Sequence, residues 1–280
     1  MLPGVFLAKK KDGSVYYRSN ITLLGKHVSL GSYLSEEEAH AAYEEALLLF
    51  TDTSITIDAL LSQIHTSNQI SCFSNRTFVL SYEKVVPLLN FRDHKLYIHT
   101  PIYLRSSYFE YFLNWNEQLK FDIEDLFYYS SHKIQKRGNR LFVSDYGMQT
   151  GLGVRYGIKN YAVLGKDYAF VNHDTLDYRY SNLKIYNIYQ GVDTLEDTPG
   201  FPVYRARIHI RGLVTVGIYK TAEEAAISYN KAIAFLAKHG YTRQYTPNYI
   251  ESFSPKKYKE VYQSLTLSES FCHYVQSNLT

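Results

Sequence analysis

The sequence predicts an α+β protein in which two small three-stranded antiparallel sheet-plus-helix modules flank a central α+β domain. Three observations predict it. A segment near the N-terminus recurs near the C-terminus. Within each copy the apolar period changes from two to about 3.6, the change from strand to helix. Between the copies, turn signals separate short segments of both kinds. The expected division is a module over 1–52, a connecting α/β region over 53–120, a central domain over 121–190, a second module over 191–252 and a helical tail over 253–280.

The repeat sets YRSNITLLGKHVSLGSYLSEEEAHAAYEEALLLF, from Tyr17, against YRARIHIRGLVTVGIYKTAEEAAISYNKAIAFL, from Tyr204. Tyr17 meets Tyr204, Ile21 meets Ile208 and Gly25 meets Gly212. After one dropped residue, Gly31 meets Gly217, Tyr33 meets Tyr219, Glu38 meets Glu224, Tyr43 meets Tyr229 and Ala46 meets Ala232. A Gly-Val pair precedes each copy, Gly4-Val5 and Gly191-Val192.

Each copy reads as strands followed by a helix. In the second, Ala206, Ile208 and Ile210 alternate with Arg205, Arg207, His209 and Arg211, giving one apolar face and one basic face. Gly212 turns the hairpin and Val214 to Tyr219 returns. A helix starts at Thr221, with Glu224 completing a capping box; Ser35 and Glu38 repeat it in the first copy. Ala225, Tyr229, Ala232 and Ile233 share a helical face, as do Ala39, Tyr43, Ala46 and Leu47. The alanines let the helix lie close against one side of the sheet. The other side is left to solvent or to a partner.

In the middle, DTSITIDALLSQIHTS reads as a helix with an Asp or Thr cap. SNRTFVLSY and HKLYIHTPIYL read as β segments, and SSYFEYFLNWNEQL as a helix. FDIEDLFYYSSHKIQ reads as a helix or an extended pair, and KRGNRLFVSDYG as a hairpin leading to NYAVLGKDYAFVNHD. The tail, SPKKYKEVYQSLTLSESFCHYVQSNLT, reads as one or two short helices.

Composition narrows the class. Hydrophobic residues at 45% and charged residues at 20% over 280 residues describe an ordinary soluble globular chain of two or three domains. No apolar run approaches the ~18 residues of a membrane span, and MLPGVFLAKKKDGS lacks the features of a signal peptide. Cys72 and Cys272 form neither a disulfide framework nor a zinc pattern, which suits a reducing cytoplasm. A net charge of +3 is too small to indicate a nucleic-acid partner, but its distribution is uneven. Residues 1–30 carry Lys9, Lys10, Lys11, Arg18 and Lys26 against Asp12 alone. Residues 200–220 carry Arg205, Arg207, Arg211 and Lys220 with no acid. An arginine-bearing sheet face of this width fits the DNA major groove, where arginine bonds guanine O6 and N7 in bidentate fashion.

The Gly-Val pair, Tyr204-Arg205-Ala206 with Ile208, the glycines Gly212 and Gly217, and Thr221 to Ala232 together resemble the APETALA/ethylene-response-factor type of DNA-binding domain. The resemblance is to the form carried by phage and bacterial homing endonucleases. Asn248-Tyr249-Ile250 fits the tail that closes the sheet in such modules. The resemblance implies double-stranded DNA contacts by Arg205, Arg207, His209 and Thr215 in the second copy, and the alternation adds Arg211 on the basic face as a further DNA-binding candidate. In the first it implies Arg18, Asn20, Thr22, His27 and Ser29, with Lys9, Lys10, Lys11 and Lys26 nearby. The family often has Trp where this chain has Tyr17 and Tyr204; its one Trp is Trp115.

The string YAFVNHDTLDYRYSNLK, Tyr168 to Lys184, resembles the HNH (ββα-metal) endonuclease motif V-D-H-I-N-H-N-T-L-D-N-R-x-S-N-L-R. Asn172, His173, Thr175, Leu176, Asp177, Arg179, Ser181, Asn182 and Leu183 coincide. The metal-binding acid falls on Ala169, the general-base His on Phe170, and the Asn that orients it on Tyr178. The family's upstream His-Arg falls on Val154-Arg155. Alanine and phenylalanine neither ligate a metal nor move a proton. The expectation is therefore a degenerate HNH-like domain without cofactor or catalysis, its His173 and Asp174 serving as turn residues. A three-residue shift gives the alternative: His173 as base and Asp174 as ligand, with Asn182, acting with Mg²⁺ or Mn²⁺.

These observations imply a DNA-binding regulator, a transcription factor or repressor of a phage or mobile element, working in the cytoplasm of a bacterial cell. Two other readings stay open: an active metal-dependent homing endonuclease, and an adaptor or inhibitor that binds a protein of a nucleic-acid enzyme complex, such as a defence-system effector.

Overall fold

A computed structural model describes residues 1–67, 71–72, 76–145, 147–160, 162–196 and 202–279. It is α+β, built from small antiparallel sheets and seven helices among the described residues. It divides into two compact units, Met1–Leu152 with Asn172–Asn182, and Gly153–Val171 with Leu183–Thr280.

The first unit opens with strands β1 (Val5–Lys9), β2 (Val15–Leu23) and β3 (Lys26–Tyr33), antiparallel in that order. Ile21, Leu23, Val28 and Leu30 are buried, while Thr22, His27 and Ser29 between them are exposed. Leu24 and Gly25, both at positive φ, make the tight turn whose twist matches paired strands. Helix α1 (Glu36–Thr51) starts at Ser35, whose side chain accepts from the Glu38 N–H, and buries Ala39, Ala42, Ala46 and Leu49. Helix α2 (Ile57–Ser67) is capped by Thr56, which accepts from the Ala59 N–H at 3.1 Å.

Two-residue strands β4 (Ser71–Cys72) and β5 (Arg76–Thr77) then pair. Of the expected strand SNRTFVLSY, Ser74 and Asn75 lie outside the described residues, Arg76 and Thr77 are extended, and Ser81 is the extended residue just before helix α3 (Tyr82–His94). Periodicity gave no sign of α3 because Val85 to Arg92 are all buried, leaving no polar stripe. Its Arg92 closes the end of α1, donating to the Leu49 and Asp52 carbonyls at 2.9 Å each.

Strands β6 (Ile102–Leu104), β7 (Tyr108–Asn114) and β8 (Glu117–Asp122) form the next sheet. The helix expected over SSYFEYFLNWNEQL is thus a hairpin. Phe109, Glu110, Tyr111 and Phe112 are buried on both faces of β7, which erases the period-two signal. The Asn114 side chain, accepting from the Asn116 N–H at 2.8 Å, makes the turn. The β segment expected over HKLYIHTPIYL narrows to β6. Helix α4 (Leu126–Ser131) follows, placing Tyr129 against Phe121 with centroids 4.3 Å apart. Strands β9 (Ile134–Arg137), β10 (Arg140–Asp145) and β11 (Met148–Gly151) follow, with the expected hairpin turning at Gly138.

The second unit holds the short pair β12 (Tyr168–Phe170) and β13 (Leu183–Ile185). Strands β14 (Val192–Glu196), β15 (Pro202–His209) and β16 (Leu213–Tyr219) follow, with helix α5 (Ala222–Lys238) against one face. Thr221 and Glu224 form the complete capping box. Two tail helices, α6 (Pro255–Ser264) and α7 (Glu269–Leu279), cap this core with the fully buried Phe271 and Val275.

The two modules repeat each other in detail. In the first, Ser19 pairs with Gly31 and Asn20 with Ser29, so Leu30 is the extra residue of a bulge. In the second, Ala206 pairs with Gly217 and Arg207 with Thr215, so Val216 is extra. Both extra residues are buried. Gly4 accepts from the Asn20 N–H at 3.0 Å, and Gly191 from the Arg207 N–H at 2.7 Å. Both glycines have positive φ, and the rings of Tyr43 and Tyr229 occupy the space a β-carbon would need.

Candidate nucleic-acid interface

Arg205 and Arg207 lie on the face of β15 away from α5, since the intervening Ala206 and the following Ile208 are buried beneath the helix. Along the strand no acid separates the arginines. Across the sheet one does. Asp193 on β14 stands opposite Arg205 and is 8% exposed. Its carboxylate takes Arg205 at 3.2 Å, Lys166 at 2.5 Å, and Arg207. Burial pushes the Asp193 carboxyl up, but the Lys166 hydrogen bond and the charges of Arg207 and Lys166 outweigh it and hold it below the ordinary carboxylate range. The cluster is therefore three cations on one ionised acid, and the buried Nε of Arg205 has no protein partner. Asp193 carries no signal along β15 itself, because cross-strand register is not written along one strand. The repeated Gly191-Val192 pair was the available signal, since it fixes where Asp193 begins to face β15.

His209 and Thr215 are exposed on the same sheet, Thr215 opposite Arg207, and Arg211 is exposed in the hairpin turn. Arg243 donates to His209 Nδ1 at 3.1 Å and lies over the Tyr245 ring, 5.6 Å from its centroid. Tyr245 donates in turn to the His209 carbonyl at 2.7 Å. Neither Lys166 nor Arg243 was singled out in the sequence. The segment after them is pinned by Asn248, which exchanges hydrogen bonds with both Gln190 and Asn230.

The first module keeps the geometry with different chemistry. Phe6, 51% exposed, stands opposite Arg18 where Asp193 stands in the second. Arg18 instead donates to the Tyr16 hydroxyl at 3.1 and 2.6 Å. Asn20 is half-buried, and Thr22 and His27 meet at 3.4 Å. Lys26 lies over the Tyr97 ring, and Lys9, Lys10 and Lys11 are exposed at the end of β1 and its turn.

The string that resembles a nuclease motif forms a closed hydrogen-bonded loop. Ala169 and Phe170 sit on β12, with Phe170 buried. His173 is exposed in the turn at φ 63°. Asp174 accepts from Lys120 at 2.8 Å and from the Leu176 N–H at 3.0 Å, while its own N–H donates to the Asn172 side chain. Asp177, fully buried, accepts from Asn172 at 2.9 Å and from Arg179 Nε and Nη2 at 2.8 and 2.6 Å. Burial raises its carboxyl, and the Arg179 and Asn172 hydrogen bonds reverse that and leave it low. Asn182 ties the ends, accepting from the Asn172 N–H and donating to the Asp177 carbonyl at 2.8 Å each. Tyr178 donates its N–H to the Lys120 carbonyl. Where the motif expects a helix, the described residues have one 3₁₀ turn, Tyr180–Asn182, and then β13. Val154 and Arg155 lie in another 3₁₀ turn, Leu152–Tyr156.

Among the described residues no group of three His, Cys, Asp or Glu side chains is placed to hold a metal ion, and no helix is long and apolar enough to cross a membrane. Comparison of the chain with protein-family models, with curated proteins and with solved structures finds no match.

Proposed function

We propose that the chain binds double-stranded DNA through the helix-free faces of its two repeated modules, as a regulator derived from a homing endonuclease and no longer a nuclease. One observation carries the reading. The second module presents Arg205 and Arg207 on the outward face of a three-stranded sheet, with both guanidinium groups held by Asp193. Two strands or more fit the major groove, and a pre-oriented arginine fork loses less side-chain freedom when it meets a base. Two modules on one chain gain further from effective concentration. The endonuclease ancestry rests on the sequence match over Tyr168 to Lys184. The absence of cutting from the proposal is supported by Asp174, which Lys120 and the turn already occupy. The test is selection of bound sequences from a random duplex pool. Enrichment of a motif, with affinity falling steeply as salt rises, is the expected outcome. No enrichment and a flat salt dependence would end this reading.

One observation favours the adaptor reading for the first module. Its outward face carries the exposed Phe6 where the second carries Asp193, so Arg18 has no acid opposite it and an apolar side chain stands where the second module is charged. A partner that survives nuclease treatment of the extract, and is lost in Phe6→Ser, would favour it.

A further inference from the structure

A cavity of about 340 Å³ opens beside the outward face of the second module. Arg207, His209, Arg243, Lys166 and Tyr245 are among its walls. Both carboxylates that line it are already engaged. Asp193 takes Lys166, Arg205 and Arg207. Asp167 accepts from the Val163 N–H at 2.7 Å and from Asn187 at 3.1 Å. Arg243 is different. Among the described residues it pairs with no carboxylate; its guanidinium donates to a ring nitrogen, His209 Nδ1, at 3.1 Å. That bond makes Nδ1 an acceptor, so the ring carries its proton on Nε2 and offers it as a donor. The Tyr245 ring supports the Arg243 guanidinium, and the Tyr245 hydroxyl anchors the His209 backbone. A guanidinium without an acid and a second N–H donor thus share one cavity, with Arg207 also among its lining residues.

We infer that Arg243 and His209 form a seat for a phosphate, and that this phosphate belongs to the backbone of duplex DNA lying on the β15 face. The inference rests on the DNA-binding reading and adds to it residues outside the strands. A guanidinium fork matches two phosphate oxygens, and an imidazole N–H satisfies a third. The seat lies at the His209 end of β15, beyond Arg207, so a duplex contacted by the sheet runs its backbone past it. Contacts of this kind fix register and carry no sequence information.

The experiment uses the full chain, a fixed duplex and a scrambled duplex, with salt titrations for wild type, Arg243→Ala and Arg243→Lys. Arg243 is exposed, and unchanged thermal melting confirms that the variants fold. Arg243→Ala is expected to weaken binding to both duplexes by the same factor and to reduce the log–log salt slope by about 0.9, one phosphate contact. Arg243→Lys is expected to keep the slope and bind several-fold more weakly, since an ammonium does not fork. An unchanged slope in Arg243→Ala, with wild type binding DNA, overturns the seat and leaves the DNA-binding reading standing. If wild type binds neither duplex, that reading fails, and a deoxynucleoside monophosphate is titrated instead. Binding lost in Arg243→Ala then assigns the seat to a free nucleotide; no binding overturns it.

Discussion

Asp193 stands directly opposite Arg205 in the β14–β15 register and takes its guanidinium at 3.2 Å. The same carboxylate holds Lys166 and Arg207, so one acid orders three cations. Asp193→Asn keeps the shape and removes the charge. It is expected to lower stability by about 1–3 kcal/mol, because three cations are left crowded with a neutral amide. It also frees positive charge, so non-specific DNA affinity should rise while discrimination between sequences falls. Denaturant melts and binding to matched and scrambled duplexes check both. A variant as stable as wild type would remove Asp193 from its organising role.

Acid should reveal the same residue. Asp193 and Asp177 both titrate below the ordinary carboxylate range. A depressed folded-state pKa contributes stability that is present above the unfolded value, about 3.9, and is lost as pH falls through the folded value. Melting temperature is therefore expected to drop as pH falls below about 4, and Asp193→Asn should drop less over that interval. Identical acid profiles for the two proteins would contradict the assignment.

What could be read without the structure was the part with a local signature. The two modules, their capping residues Ser35 and Thr221, and the paired glycines at 4 and 191 all leave traces along the chain. The β7–β8 hairpin and α3 did not, for one physical reason. Val85 to Arg92 of α3 and Phe109 to Phe112 of β7 are buried without interruption, so neither run alternates between a core face and a solvent face. The site divides in the same way. Arg205, Arg207 and His209 share a strand and were legible as a face. Asp193, Lys166 and Arg243 reach that face from other segments, through register and tail packing, and were not.

Arg207→Ala tests base reading against phosphate binding. If Arg207 reaches a base edge, its loss costs on the order of 1–3 kcal/mol on the preferred duplex and much less on a scrambled one. Equal loss on both would demote it to a backbone contact. Comparing the two duplexes in one salt isolates the difference.

Gly191→Ala and Gly4→Ala compare the two modules at one equivalent position. Both glycines have positive φ, so each substitution is strained. At Gly191 the nearest atom to the new β-carbon is the Arg207 carbonyl oxygen, with the Tyr229 ring beside it; at Gly4 the nearest atoms all belong to the Tyr43 ring. A ring can rotate away and a strand backbone cannot. Gly191→Ala is expected to cost at least 2 kcal/mol, on the order of the strain at special backbone positions, and more than Gly4→Ala. The reverse order in denaturant melts would show that the Tyr43 packing is the less forgiving.

The loop from Asn172 to Asn182 separates a structural role from a catalytic one. Asp177 is fully buried and accepts from Arg179 and Asn172, whereas His173 is exposed and holds a turn. Asp177→Asn should therefore destabilise by about 3 kcal/mol, since it leaves the Arg179 guanidinium without its acid. His173→Ala should change stability by less than about 0.5 kcal/mol, the ordinary surface value. It should leave duplex binding intact. Supercoiled plasmid incubated with wild type and Mg²⁺ or Mn²⁺ should stay uncut, because the Asp174 carboxylate is held by Lys120 and by the Leu176 N–H. Metal-dependent nicking that His173→Ala abolishes would overturn this, and would mean that Asp174 leaves Lys120 to take a cation when DNA is bound.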